Sequence, residues 1–148
     1  MRVWRLTKPE HAPGLDGEGA RLYGGRWNSP GLPVVYTASS LALAALEVFV
    51  HLPPAMRRPS GLPELVAIAF DLPVSDIAAP EELPPSGGAA FRAIGDAWLA
   101  GQGSLALRVP SQVIRHDTKI LINPHHPGIS RVTVAFQEPF RFDDRLGT

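Results

Sequence analysis

An arginine and a tryptophan, Arg26 and Trp27, lie inside the run GGRWNSPG, residues 24–31, where the backbone is expected to be irregular. Two glycines before them and Asn-Ser-Pro-Gly after them predict a loop or tight turn. Loops held by a rigid scaffold often carry binding residues, so a fixed cation in this position is a candidate for ligand recognition. The structural alternative is that Trp27 fills the core while Arg26 pairs with a carboxylate.

A second candidate is a polar stripe on the helix predicted for SSLALAALEVFVHL, residues 39–52, with Ser39 or Ser40 as N-cap. Apolar side chains cover most of this helix, which is therefore expected to be buried on most sides. The other positions are Ser40, Ala44, Glu47 and His51, whose spacing places them on one narrow line. A carboxylate there needs a partner or a cavity, unless the stripe simply faces solvent.

Polar residues at other predicted turns are less specific. Ser111 follows Val-Pro in LRVPSQV and either is functional or starts a turn; no Gly-x-Ser-x-Gly motif surrounds it, which disfavours a hydrolase-type nucleophile. Asn123 lies in LINPHHPG with His125 and His126, and Asn-Pro is itself a turn signal.

Several common cofactor sites are not expected. The chain has no cysteine and no His-Glu-x-x-His motif, so we predict no metal site. GEGARL begins like a dinucleotide-binding fingerprint, but Leu22 replaces the third glycine and the stretch follows no clear strand and opens no clear helix. A nucleotide would therefore be bound by something other than a Rossmann or P-loop cradle.

The distribution of elements predicts an α+β fold, with a split or twisted β-sheet core flanked by helices. RVWRL is a first strand with Val3 and Leu6 turned inward, followed by a polar connection over residues 7–33. Further strands are predicted at Val34–Ala38 and Glu64–Leu72, then a surface excursion over residues 73–88. AAFRAIGDAWLAGQG is a second helix, and four short strands follow in SLALRVPS, KILINP, RVTVAF and FRFD.

Length and charge limit the class of protein. The 148 residues fit one domain, residues 1–148. Fourteen basic and fourteen acidic residues balance, so we expect no direct nucleic-acid binding. No apolar run approaches the length of a membrane span and the N-terminus lacks a signal-peptide core, so we expect a cytoplasmic protein without membrane contact.

Taken in order, GEGARLYGGRWNSPGLPVVYTASSLALAALEVFVHL, LRVPSQV and LINPHHPG closely resemble the RES domain family. Its three name-giving residues match Arg26, Glu47 and Ser111, and the likeness extends to the closing FRFDDRL. The resemblance implies an ADP-ribosyltransferase-like fold and the toxin of a bacterial type II toxin–antitoxin pair. It also implies NAD⁺ as substrate and an Xre-like helix-turn-helix antitoxin as partner.

The resemblance also implies roles for the residues. Cleavage between ribose and nicotinamide passes through an oxocarbenium-like transition state, which a carboxylate stabilises, and Glu47 is assigned there. Arg26 is assigned to the pyrophosphate, with Gly24 and Gly25 allowing close backbone approach. Tyr36 offers a ring on which cationic nicotinamide can stack.

Other roles stay open. Ser111 and Asn123 are assigned to hydrogen bonds with ribose or carboxamide, and His51 either orients Glu47 or contacts the acceptor. Arg21 is an alternative to Arg26 for the phosphate, and Tyr23 an alternative to Tyr36 for stacking.

The reaction itself is also open, because the acceptor of ADP-ribose can be water, phosphate or a protein side chain. The competing hypothesis is a non-catalytic module that binds a nucleotide or a protein partner.

Overall fold

The computed structural model describes residues 1–85 and 87–147. In this part of the chain the strands are β1 (Arg2–Thr7), β2 (Val35–Ala38), β3 (Glu64–Asp71), β4 (Ile77–Ala78), β5 (Ala106–Pro110), β6 (Thr118–Ile122) and β7 (Thr133–Arg141). The seven strands form one sheet in the order β4-β5-β6-β2-β1-β3-β7. All neighbouring strands are antiparallel except β4 and β5. The helices are α1 (Glu18–Tyr23), α2 (Leu41–His51) and α3 (Ala89–Gly101). The predicted α+β class is confirmed.

The centre of the sheet is buried on both faces. Successive side chains of a strand point to opposite faces, and in β6 Ile120 and Ile122 belong to one apolar cluster while Leu121 belongs to another. Trp27 and Phe91 cover Leu121, with Phe91 supplied by α3. Helix α2 packs with β1 and β2 in a third cluster. The two helices thereby leave a cleft beside β2 and β6.

Both predicted helices are present. Helix α3 ends near Gly101, as expected, and α2 has Ser40 as its N-cap. Ser40 Oγ accepts a hydrogen bond from Leu43 N at 3.1 Å, and α2 ends at His51 before Pro53. The helix is less buried than expected, because Leu46 and Val50 are 37% and 41% exposed. The solvent side of α2 is therefore apolar.

Three details of the predicted elements were wrong. GEGARL does open a helix, α1, because Gly17 adopts a left-handed conformation before it and Asp16 Oδ1 accepts a hydrogen bond from Glu18 N at 3.1 Å. RVTVAF and FRFD are parts of one strand, β7, whose Pro139 is tolerated because β7 forms the edge of the sheet. The short strand β4 lies within the stretch predicted as a surface excursion.

Among the described residues, no helix combines the length and apolar composition needed to cross a membrane.

Candidate active site

Two cavities meet at the polar stripe of α2. The first, of about 420 Å³, extends toward Arg5 on β1 and is called the Arg5 cavity. The second, of about 620 Å³, extends toward the GGRWNSPG loop and is called the Arg26 cavity. Glu47 and His51 line both. The stripe predicted on α2 therefore lies along a cleft, in which Glu47 is largely covered while His51 at the end of the helix is exposed.

Glu47 is held by two other elements. Its side chain is 14% exposed, and Oε1 accepts a hydrogen bond from Ser111 Oγ at 2.8 Å. Ser111 Oγ also accepts from the N–H groups of Val113 and Ile114, both at 3.0 Å. Ser111 thus starts a turn after β5, and its hydroxyl proton is directed to Glu47. The turn and the contact with Glu47, weighed as alternatives from sequence, exist together.

Lys119 on β6 is the second contact of Glu47, and sequence reasoning missed it. Its Nζ lies 3.4 Å from Glu47 Oε2 and 5.0 Å from the centroid of the Tyr36 ring. Burial lowers the pKa of Lys119, while the charge of Glu47 acts in the opposite direction. Lys119 faces Ala38 in the register of β2 and β6, so alternation along β2 brings it beside Tyr36. Without that register, TKILI gives no signal that Lys119 reaches α2.

Tyr36 connects the sheet to the GGRWNSPG loop. Its hydroxyl donates to Asn28 Oδ1 at 2.6 Å and accepts from Trp27 N at 3.1 Å. Burial raises the pKa of Tyr36 to about 12. A Cβ on Gly25 would lie 2.6 Å from this hydroxyl, so the loop requires glycine there. Tyr36 is therefore a neutral hydrogen-bond donor that fixes the loop.

The GGRWNSPG loop places its tryptophan inside the protein and its arginine outside. Trp27 is buried and its ring stacks on Phe91 with centroids 4.4 Å apart. Buried Asn28 donates to the carbonyl groups of Ala20 and Leu32 at 2.9 and 3.0 Å. Arg26 is exposed, lines the Arg26 cavity and forms no ion pair with a described carboxylate. Trp27 therefore fills the core, as the structural alternative expected. Arg26 does not pair with a carboxylate of the described residues, so that part of the alternative does not hold.

His51 lies beside Glu47 but does not contact its carboxylate by hydrogen bonding. Its Nδ1 is 2.7 Å from the main-chain oxygen of Glu47, one turn earlier in α2. Since a carbonyl oxygen only accepts, Nδ1 is the donor in this contact, and in the neutral ring Nε2 is then the acceptor. His51 is thus oriented by the helix backbone.

The structure does not bring Asn123 to this cleft. It is buried at the end of β6, where Nδ2 donates to Leu99 O at 3.3 Å and Oδ1 accepts from His125 N at 3.0 Å. Arg21 does not reach the cleft either, and its Nε forms an ion pair with Glu18 at 2.8 Å. Neither residue lines the two cavities, whereas Tyr23 lines the Arg26 cavity and is 85% exposed.

Arg5 is a second residue that sequence reasoning missed. It lines the Arg5 cavity, and its buried Nε–H has no hydrogen-bond partner among the described residues. Burial lowers the pKa of Arg5, while the charge of Asp16 raises it. A buried donor without a partner is costly to the folded state. The positive charge of this guanidinium at the cavity wall is suited to an acceptor that a ligand brings. Within residues 1–85 and 87–147, no three His, Asp or Glu side chains form a group that could hold a metal ion.

Comparisons with known proteins agree on one family. The family model "RES domain" matches residues 2–143. The chain is 35% identical to "Prs ADP-ribosylating toxin" of Sphingobium sp. (strain YBL2), with 97% of this chain and 94% of that protein covered. It is 35% identical to "Toxin Res" of Yersinia enterocolitica serotype O:8 / biotype 1B, with 99% of both proteins covered.

A solved structure shows the same fold. A chain in the crystal structure of the M. tuberculosis MbcT–MbcA toxin–antitoxin complex superposes with a TM-score of 0.66, over 98% of this chain and 85% of that one, at 21% identity. The family model and the curated relatives extend over nearly the whole sequence. The chain belongs to the RES domain family.

Proposed function

We propose that this protein is the toxin of a toxin–antitoxin pair and that its cleft binds NAD⁺ and cleaves the bond between nicotinamide and ribose. The observation that carries the proposal is the position of Glu47, a mostly buried carboxylate at the junction of two cavities, held by Ser111 and Lys119. Family relatives named as ADP-ribosylating and Res toxins support it.

The chemistry follows from the charge that cleavage creates. As the glycosidic bond breaks, positive charge develops on the ribose, and a preorganised carboxylate stabilises it. Nicotinamide leaves as a neutral molecule, so the site needs no general acid. Glu47 is assigned to the ribose, where its hydrogen bond from Ser111 fixes its orientation. His51 Nε2, free to accept a proton, is assigned to the side of the incoming acceptor.

The rest of NAD⁺ is assigned to the loop and the sheet. Arg26 binds the pyrophosphate with its forked donors, and Gly25 allows the backbone to approach. Lys119 lies over the ring of Tyr36, so Tyr23, whose ring is exposed in the Arg26 cavity, is the freer stacking surface. Arg5, which lines the Arg5 cavity, is assigned to an acceptor oxygen at the other end of the cleft. Asn123 is not used in this arrangement.

The partner is proposed to be an antitoxin of the Xre-like helix-turn-helix type that covers the cleft. The structural neighbour was solved as a toxin–antitoxin complex, which supports a proteinaceous antitoxin for this chain too. The acceptor of ADP-ribose is water, phosphate or a protein side chain, and the reaction product distinguishes them.

The test is proton NMR of NAD⁺ incubated with the purified protein, with and without phosphate, and with Glu47→Gln as the matched variant. We expect free nicotinamide with the wild type and at least about a hundredfold slower release with Glu47→Gln. ADP-ribose as co-product identifies water as the acceptor, and its 1″-phosphate identifies phosphate. Stoichiometric release points to a protein acceptor. Intact NAD⁺ with a binding signal would support the non-catalytic module instead.

A further inference from the structure

A second arginine, Arg92, shares the Arg26 cavity and comes from a different element. Arg92 lies in the first turns of α3, with its N–H bonded to Gly88 O at 3.2 Å. Arg26 reaches the same end of the helix, because a Cβ on Gly87 would lie 3.5 Å from Arg26 Nη1. Both guanidinium charges act on the Tyr36 hydroxyl at the wall of the cavity. The two arginines therefore converge on one region of the cleft.

Neither arginine is neutralised by the described part of the protein. Arg26 and Arg92 are exposed and take part in none of the ion pairs or side-chain hydrogen bonds among residues 1–85 and 87–147. The acid one turn after Arg92 on α3 is Asp96, and both its oxygens are occupied by Ser29. Ser29 N donates to Oδ1 at 2.8 Å and Ser29 Oγ to Oδ2 at 2.5 Å.

The same contact with Ser29 joins the two elements that carry the arginines. Ser29 belongs to the GGRWNSPG loop, so Asp96 fastens α3 to the loop that carries Arg26. The backbone segments that carry the two arginines are thus bonded to each other, while the guanidinium groups remain available to a ligand.

We propose that Arg92 and Arg26 form a clamp for a diphosphate group, so that the ligand class of the Arg26 cavity is a nucleoside diphosphate. Two planar forks, each able to bind two oxygens, match the two adjacent phosphates of a diphosphate better than one phosphate. The assignment rests on the proposed function in identifying that group as the pyrophosphate of NAD⁺. It gives the substrate a direction: the diphosphate lies in the Arg26 cavity and the scissile bond at Glu47, where the two cavities meet.

The test is equilibrium binding of ADP, inorganic pyrophosphate and adenosine to the full chain by isothermal titration calorimetry. None of these probes contains the scissile bond. We expect ADP and pyrophosphate to bind and adenosine to bind at least about tenfold more weakly than ADP. Arg92→Ala is expected to raise the Kd of ADP about tenfold, and Arg92→Lys to restore only part of the affinity, because lysine lacks the fork. The control is Arg58→Ala, at an exposed position that lines neither cavity.

Each outcome separates this site from the reaction. Nicotinamide release with unchanged ADP affinity in Arg92→Ala would overturn the clamp and leave the NAD⁺ reaction standing. ADP binding that depends on Arg92 without any nicotinamide release would keep the clamp and overturn the reaction. Equal affinity for ADP and adenosine in the wild type, or an equal loss with Arg58→Ala, would also overturn the clamp. In steady-state kinetics, Arg92→Ala is expected to raise the KM for NAD⁺ more than it lowers kcat.

Discussion

Two neighbouring side chains, Ser111 and Lys119, stabilise the carboxylate of Glu47 in the cleft. A carboxylate that is largely removed from water is unfavourable unless charge and hydrogen bonds compensate it. Here Ser111 supplies a short hydrogen bond and Lys119 a positive charge, from two different strand ends. Lys119 also lies over Tyr36, as a substrate cation would. The free protein thereby keeps a cation beside the carboxylate that the proposed reaction requires.

Tyr36 gives a prediction at the scale of one residue. Its pKa is raised by burial from 10.0 to about 12, so folding favours the protonated phenol. The stability that this supplies is fully present below pH 10 and is lost as the pH rises through about 12. The chain has two tyrosines, so in Tyr23→Phe the phenolate absorbance reports Tyr36 alone. We expect that absorbance to appear at about pH 12, together with loss of the circular dichroism signal.

The double variant Tyr23→Phe/Tyr36→Phe is the spectroscopic blank for this titration. Phenolate forming near pH 10 in Tyr23→Phe while the circular dichroism stays native would contradict a buried, hydrogen-bonded Tyr36.

At the scale of elements, the contact between α3 and the GGRWNSPG loop places both arginines. Gly95 on α3 allows this contact, since a Cβ there would collide with the carbonyl oxygen of Trp27. We expect Gly95→Ala to lower the free energy of unfolding by about 2 kcal/mol, because the clash is with backbone rather than with a flexible side chain. Urea denaturation measures the change.

Gly101→Ala on the same helix is the matched control, because a Cβ there meets nothing within 4 Å. Alanine is the better helix former, so this variant is expected to be as stable as the wild type or up to about 1 kcal/mol more stable. Equal effects of the two substitutions would mean that α3 does not depend on close approach to Trp27.

The elements differ in how much of them the sequence could predict. α2 could be predicted well, because its cap, its apolar positions and its terminating prolines all lie within one stretch. α1 could not, since its start depends on the left-handed conformation of Gly17 and a cap from Asp16. The sequence predicts two short strands, RVTVAF and FRFD, where the structure has the single strand β7. Its Pro139 is tolerated because β7 lies at the edge of the sheet.

The site shows the same division between local and long-range information. Glu47 and His51 could be found from helical spacing alone. Lys119, Arg5 and Arg92 could not, because their place in the cleft depends on strand register and on the packing of α3. Asn123 looked equivalent to Ser111 in sequence, yet its amide is used by the backbone of Leu99 and His125.

At the scale of the whole molecule, positive charge is concentrated in a protein whose formal net charge is zero. Arg5 lies in one cavity and Arg26 with Arg92 in the other, on either side of Glu47. A cleft lined by unpaired cations focuses the potential and attracts anionic ligands, although the protein as a whole is neutral. This arrangement suits a dinucleotide better than it suits folding, because Arg5 buries a donor that has no partner among the described residues, which destabilises the native state.

Arg5 provides the test of that conflict between folding and function. Its pKa is lowered by burial, so the folded state disfavours the charged guanidinium, and its Nε–H finds no partner among the described residues. Arg5→Met keeps a long side chain and removes the charge, so we expect the free energy of unfolding to rise by about 1 kcal/mol or more. The same variant is expected to release nicotinamide at least about tenfold more slowly, because the ligand loses a charged donor.

Arg108→Met, at an exposed position on β5, should change neither quantity. Urea denaturation and the nicotinamide assay on the same samples measure both effects. A less stable Arg5→Met protein would show that Arg5 supports the fold, whereas a more stable protein with full activity would remove Arg5 from the site.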